Sequence, residues 1–330
     1  MGSGKWSTNI YDEHNRFMAA SGKGAFDFSD VMHRTRKSRW HVHDTLNPKN
    51  VKFRESRDSD EHPASTSIAV MFDVTGSMGA IPVTLQKKLP ELLGLLLRKG
   101  YVSDPQILFG GIGDATCDMV PLQVGQFESD NRMDLNLEDI FLEGGGGGQR
   151  TESYELAMYF IARHTDIDCW SKHGRKGYLF IIGDEMAYSS VNRREVGAII
   201  GDGLQQDIPT KDIVRELRER YHVFYILPQG ASYGGDATIL GFWRRLLGQN
   251  VLELEDAEAV CETIALTIGM TEGVIDLKAG SGDLRDYGVA DRTLQVVTSA
   301  LMSIPTGLVK AKVQGGVLSG LGAKPPLADK

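Results

Sequence analysis

Residues 67–82 read SIAVMFDVTGSMGAIP. Ile68 to Phe72 is an unbroken apolar run with polar flanks, the pattern of a short strand buried on both faces. It ends in Asp73, and two hydroxyl side chains follow at alternate positions, Thr75 and Ser77. Alternate residues of an extended segment share a face, so the three oxygens can converge. A carboxylate and two hydroxyls at the end of a buried strand suit either a catalytic nucleophile or a held cation.

Strand-like and helix-like stretches alternate from this point to about residue 275, the signature of an α/β chain with a mostly parallel central sheet and helices on both faces. The helix expected over 82–99 carries an apolar stripe of Leu85, Leu89, Leu92, Leu93, Leu96 and Leu97. QILFGGIG and VPLQVGQF (106–113 and 120–127) read as a hairpin-like strand pair around DATCDM. A short helix is expected over 133–142 and longer ones over 152–164, 209–221, 236–248 and 257–270. Further strands are expected over 177–185, 222–228 and 250–256. Pro209 is well placed for a first helical turn. Residues 1–66 form a polar, irregular N-terminal extension with a short helix over 11–20, residues 67–275 the main domain, and residues 276–330 a helix over 291–304 and a Gly/Pro-containing tail.

Bulk properties narrow the function. The 330 residues are 41% hydrophobic and 24% charged, a globular balance, and no apolar run is long enough to span a bilayer. The start, MGSGKWSTNIYDEHNR, has no apolar leader-like stretch, and Trp6 stands where a myristoylation signal needs Ser or Thr. The odd, scattered cysteines Cys117, Cys169 and Cys261 suit a reducing compartment, so a cytoplasmic location is expected. A formal charge of −8 argues against a nucleic-acid binder. That charge is uneven. Residues 34–57 hold eight Lys/Arg against Asp44 and Glu55, a balance of +6 that leaves −14 for the rest. The simplest use of such an arm is to fold back on the acidic body.

Ligands of open parallel sheets gather outside the carboxyl ends of the strands. Three loops bring oxygen donors to that edge: DVTGS, GGGGGQRTES (144–153) and IIGDE (181–185). Together they offer Asp73, Thr75, Ser77, Thr151, Glu152, Ser153, Asp184 and Glu185, hard donors with no His or Cys, which suit Mg²⁺ or Mn²⁺.

FDVTGSMG resembles the first motif of the von Willebrand factor A (vWA) domains, whose metal-ion-dependent adhesion site (MIDAS) begins with an aspartate and two alternate hydroxyl residues. GGQRTESYELA is similar to that family's glycine-rich second loop, and LFIIGDE stands where the family has an apolar strand ending in Thr-Asp-Gly. The resemblance covers roughly residues 67–275 and implies a Rossmann-like vWA fold. It also implies that Thr75 and Ser77 bind the ion directly, that Thr151 is the second-loop ligand, and that Asp73 and Asp184 are anionic supports. An open coordination position would then accept a partner's Asp or Glu, making the protein a metal-dependent binding module and not an enzyme. The partner class implied for a bacterial intracellular member is an AAA+ ATPase of the MoxR type.

The sequence departs from the pattern in two places. Glu152 sits beside Thr151, and Asp184 is preceded by Gly183 and followed by Glu185. The extra carboxylates leave Thr151, Glu152 and Ser153 as alternative second-loop ligands, weaken the ion's demand for a partner's carboxylate, and keep open a site that only stabilises the fold. Two other classes stand beside this reading. A haloacid-dehalogenase-like Mg²⁺-dependent phosphohydrolase also places Asp at a strand end, but it needs an acid where this chain has Thr75. An RNA-associated vWA protein would use the basic arm, with Trp40 and Phe53 among its charges.

Overall fold

The fold is that of a computed structural model. It describes residues 27–302 except Tyr287, together with Ser7, Ile10, Glu13, Arg16 and Ile304. The helix expected over 11–20 lies outside the described residues, apart from Glu13 and Arg16, which are helical, and the tail over 315–330 lies outside them entirely.

The central sheet consists of β1 (Thr66–Asp73), β2 (Pro105–Ile112), β3 (Leu122–Val124), β4 (Gly177–Ile182), β5 (Tyr221–Pro228) and β6 (Val251–Leu254). Their order across the sheet is β6-β5-β4-β1-β2-β3. Every neighbouring pair is parallel except β2 with β3, the hairpin-like pair at one edge. The expected mixed α/β architecture with a mostly parallel sheet is therefore present.

The longer helices are α1 (Ile81–Lys99), α2 (Tyr154–Arg163), α3 (Thr210–Arg220), α4 (Ala237–Leu247), α5 (Val260–Thr271), α6 (Leu277–Asp286) and α7 (Asp291–Leu301). β1 is buried along its whole length, and its side chains alternate between two cores. Ile68, Val70 and Phe72 face the core built with α1, α5 and α7, while Ala69 and Met71 face the one built with α2, α3 and α4. Helices thus cover both faces.

In α1, Leu85, Leu89, Leu92, Leu93 and Leu96 are fully buried, each contributing about 1.5–3 kcal/mol of transfer free energy. Leu97, expected in the same stripe, is 44% exposed. It lies one residue past Leu96, about 100° around the helix, and so leaves the core face. The C-terminal region holds two helices where one was expected. α6 was missed because LKAGSGDLRD has two glycines and few apolar residues; it is secured by packing on α5 and α7, with Leu284 fully buried.

The basic arm docks on the body. Arg54–Ser56 forms a strand parallel to Thr165–Ile167, so this part of the arm is regular where it reads as irregular. The Asn50 amide donates to Ile200 O at 2.7 Å, and the Arg54 guanidinium donates to Val124 O at 2.8 Å. The Trp40 ring meets Phe141 edge-on at 5.1 Å. Of the arm's cations, Lys37 reaches Glu143, and Arg57 reaches Asp166 and Asp168. Backbone pairing and aromatic packing therefore hold the arm alongside charge.

The strand order fixes where a ligand can enter. From β1 the chain builds outward to β2 and β3 on one side, then returns and builds β4, β5 and β6 on the other. The direction reverses between β1 and β4, and at such a reversal the connections leave in opposite directions and open a crevice at the carboxyl ends. No helix among the described residues is long and apolar enough to cross a membrane.

Candidate functional site

The crevice between β1 and β4 receives the loop after each strand. Asp73, the last residue of β1, is fully buried. Its Oδ1 accepts the Thr75 amide at 2.7 Å and the Thr75 hydroxyl at 2.6 Å, and its Oδ2 accepts the Tyr154 hydroxyl at 2.5 Å. The Thr75 contacts are the local turn that Asp makes with a residue two ahead. They fold the chain back so that Ser77 returns over the strand end. Thr75 Oγ1 then lies 3.2 Å from Ser77 Oγ, and Ser77 donates across the crevice to Asp184 Oδ1 at 2.7 Å. The other oxygen of Asp184 accepts the Tyr233 amide at 3.0 Å.

Aromatic side chains that the sequence reading overlooked hold this arrangement. Tyr154 opens α2 and reaches Asp73 because residue 183 is glycine; a Cβ there would collide with the Tyr154 ring and hydroxyl. The Glu185 carbonyl accepts Trp243 Nε1–H at 2.8 Å and the Tyr225 hydroxyl at 3.1 Å, while those two rings stack at 3.9 Å. Of the three, only Tyr154 stands at an element end, the first residue of α2, whereas Tyr225 and Trp243 lie in the middle of β5 and α4.

The second loop divides the remaining expected residues. Thr151–Glu152 pairs in parallel with Met186–Ala187. Glu152 and Glu185 are both buried, and Oε2 of each has no hydrogen-bond partner. Ser153 is turned away, its hydroxyl accepting the Ala115 amide at 2.9 Å. Thr151 is half-buried at the rim. The structure thus brings Asp73, Thr75, Ser77 and Asp184 together, places Glu152 and Glu185 beside them, and commits Ser153 to a neighbouring loop. That loop, Gly113–Asp118, was not foreseen as part of the site. Its fully buried Asp114 accepts from Thr116 and Tyr188, and Asp118 accepts the Gly146 amide at 2.9 Å, tying down the glycine run.

The electrostatics are those of crowded acids. Burial, opposed by the hydrogen bonds from Thr75 and Tyr154, pushes the Asp73 carboxyl up to about 7. Burial also raises Asp184, against the pull of Ser77 and the Tyr233 amide. Glu152 is pushed up to about 11 by burial and by the nearby charges of Asp73 and Glu185. Glu185 is raised by burial too, with Asp184 and Asp114 adding to the effect and Arg150 opposing it.

Among the described residues, no three of His, Cys, Asp and Glu are arranged to hold a metal ion between them. The set in the crevice is of a different kind, two hydroxyls with Asp73 and Asp184. Its donor chemistry suits a hard cation. The 3.2 Å between Thr75 Oγ1 and Ser77 Oγ is close to the ~3 Å between adjacent ligands of a six-coordinate ion with bonds of about 2.1 Å. The unpartnered Oε2 atoms of Glu152 and Glu185 are acceptors that a cation would satisfy.

The sequence matches no protein-family model and no curated protein. Among solved structures the chain is similar to the pilus adhesin SpaC from Lactobacillus rhamnosus GG in its open conformation. The identity is 11% and the TM-score 0.44, over 62% of this chain and 30% of the adhesin. It is also similar to proximal thread matrix protein 1 from the mussel byssus, at 10% identity and a TM-score of 0.41, over 62% of this chain and 47% of that one. The chain thus spans less than a third of the adhesin and less than half of the matrix protein.

Proposed function

We infer that this protein is a vWA-type binding module whose crevice between β1 and β4 takes up Mg²⁺ or Mn²⁺ and, through that ion, an oxygen of a protein partner. The observation that carries the reading is the meeting of Thr75, Ser77 and Asp184 across the strand-order reversal, with Ser77 bonded to Asp184 at 2.7 Å. The Thr75 and Ser77 hydroxyls would hold the ion and Asp73 and Asp184 would balance its charge. When bound, the ion supplies a Lewis-acidic attachment point for an oxygen ligand. The rest is done by the chain: Tyr154 and the Thr75 amide orient Asp73, and the Tyr225–Trp243 stack fixes the loop that carries Asp184. A partner Asp or Glu, with an AAA+ ATPase of the MoxR type as its source, is the partner class that the motif resemblance implies.

Metal binding to the folded state alone stabilises it by mass action, about 2.7 kcal/mol at a hundred times the dissociation constant. Mg²⁺ or Mn²⁺ should therefore raise the melting temperature of the wild type by several degrees, and Asp73→Ala should abolish that rise. Differential scanning calorimetry across a metal titration reads this directly. The same rise in both proteins would sink the reading.

A further inference from the structure

Thr151 and Glu152 are neighbours on a short strand, so their side chains point to opposite faces. The one turned inward is Glu152. It is 1% exposed, and its Oε2 is buried without a hydrogen-bond partner. Its Oε1 lies 3.0 Å from the point a Cβ on Gly146 would occupy, and the Thr75 Cβ lies 3.5 Å from that same point. Glu152 therefore stands next to the hydroxyl loop, while Thr151 stays half-buried at the rim. Across from it Glu185, 3% exposed, also has a buried oxygen without a partner.

We propose that Glu152, and not Thr151, is the second-loop ligand to the ion, and that the ion's open position consequently takes a neutral oxygen of the partner, a carboxamide or a backbone carbonyl, in place of a carboxylate. The inference rests on the metal reading of the crevice and corrects the partner group that the motif resemblance implies. The reason is charge. A hydroxyl ligand leaves a divalent ion electron-poor and receptive to an incoming anion, whereas a carboxylate ligand neutralises it. Glu185 beside Glu152, and Asp73 and Asp184 behind the two hydroxyls, place further buried acids around the same point. An approaching carboxylate then meets net repulsion in a buried setting, where charge interactions are poorly screened. A neutral oxygen meets none and still supplies a lone pair. Built-in repulsion of this kind is how sites reject a wrong partner group.

The test is isothermal titration of the full chain with Mg²⁺ and Mn²⁺, comparing wild type, Glu152→Gln and Thr151→Val, with circular dichroism as the check on folding. Replacing a metal ligand should weaken binding by about ten-fold or more, so Glu152→Gln should lose that much, and Thr151→Val should stay within about two-fold of wild type. Repeating the titrations with acetate or acetamide present probes the partner group. Acetate should leave wild-type Mg²⁺ affinity unchanged or lower it, and should strengthen it in Glu152→Gln, while acetamide should not weaken binding in the wild type. The inference is overturned if Thr151→Val loses the ten-fold and Glu152→Gln does not, or if acetate strengthens Mg²⁺ binding to the wild type. The acetate arm needs no variant and holds even if one fails to fold. A wild type that binds neither ion removes the metal reading itself, and is told apart because all three proteins then give the same flat titration.

Discussion

The two ends of the central sheet carry acid clusters of opposite character. At the amino-terminal end, Asp58 accepts from the Ser65 hydroxyl and His173, and Asp168 pairs with Lys172 and Arg57 and accepts the Asp58 amide. Burial pulls both carboxyls up, but these hydrogen bonds and charges outweigh it and hold them below the usual carboxylate range. At the carboxyl end, Asp73, Asp184, Glu152 and Glu185 are buried as Asp168 is, but without a paired cation on each among the described residues. Burial wins there and all four are raised, with the charges of neighbouring acids adding to it at Asp73, Glu152 and Glu185. Arg150 is the cation whose charge opposes the effect at Glu185, and its guanidinium is itself paired with Asp236. The lesson is that acid count alone says little. The amino-terminal cluster carries its own cations, whereas at the carboxyl-terminal one the charge opposing the acids is that of Arg150, already paired with Asp236.

The largest expected effect breaks the self-sufficient cluster. Asp168 has a 2% exposed side chain, and Arg57→Ala removes charge-assisted hydrogen bonds to Asp168, Asp166 and Glu55 together, leaving Lys172 as the cation on Asp168. Arg57→Ala should therefore cost about 3 kcal/mol at pH 7, measured by urea unfolding, and the cost should shrink as pH falls below about 4 and through the depressed folded-state value of Asp168, where that carboxyl takes up its proton. A loss under about 0.5 kcal/mol, the size of an ordinary surface change, would mean the amino-terminal cluster is no more than surface decoration.

Next is the pH dependence, where the two clusters have opposite signs. Asp58 and Asp168 have depressed folded-state values, so their contribution is full above the unfolded carboxylate value and is lost as pH falls through the folded one. Asp73, pushed up to about 7, holds a proton in the folded state that the unfolded chain has released. Its linkage lowers stability as pH rises from about 4 to about 7. In metal-free buffer, Asp73→Asn should consequently be more stable than wild type by about 2 kcal/mol at pH 8 and close to it at pH 4. Equal stability at both pH values would show that Asp73 is already compensated.

The smallest effect sharpens the role of the aromatic support. Tyr225→Phe removes one of two donors to the Glu185 carbonyl and keeps Trp243 Nε1–H. It should cost about 0.5–1 kcal/mol and weaken Mg²⁺ binding by no more than a few-fold, read by the same calorimetry. A larger loss of metal binding than of stability would say that the stack positions the loop as well as anchoring it.

Much of this is legible in the chain itself. The hydrophobic run of β1, the leucine spacing of α1 and the strand–helix alternation are local patterns, because a strand repeats every two residues and a helix every 3.6. The loops carrying Asp73, Thr75, Ser77 and Asp184 are legible for the same reason, each standing at the end of a recognisable strand. What stays hidden involves partners far apart in the chain. Tyr154 bonds Asp73 from 81 residues away, and Arg57 bonds Asp168 from 111. Helix α6 is hidden because its weak pattern is stabilised by α5 and α7 and not by its own propensity.

The elements, their order and the kind of donor at each strand end all follow from the amino-acid order, since backbone sterics and the periodic placement of apolar side chains dictate them. Packing in three dimensions was needed to set β1 and β4 side by side, so that Ser77 can reach Asp184. It was needed too to turn Glu152 inward while Thr151 stays at the rim, and to give one acid cluster its cations while the other went without. The physical reason is that the ionisation of a buried carboxyl depends on the groups that surround it in space, and a chain's own order does not record which distant residues those will be.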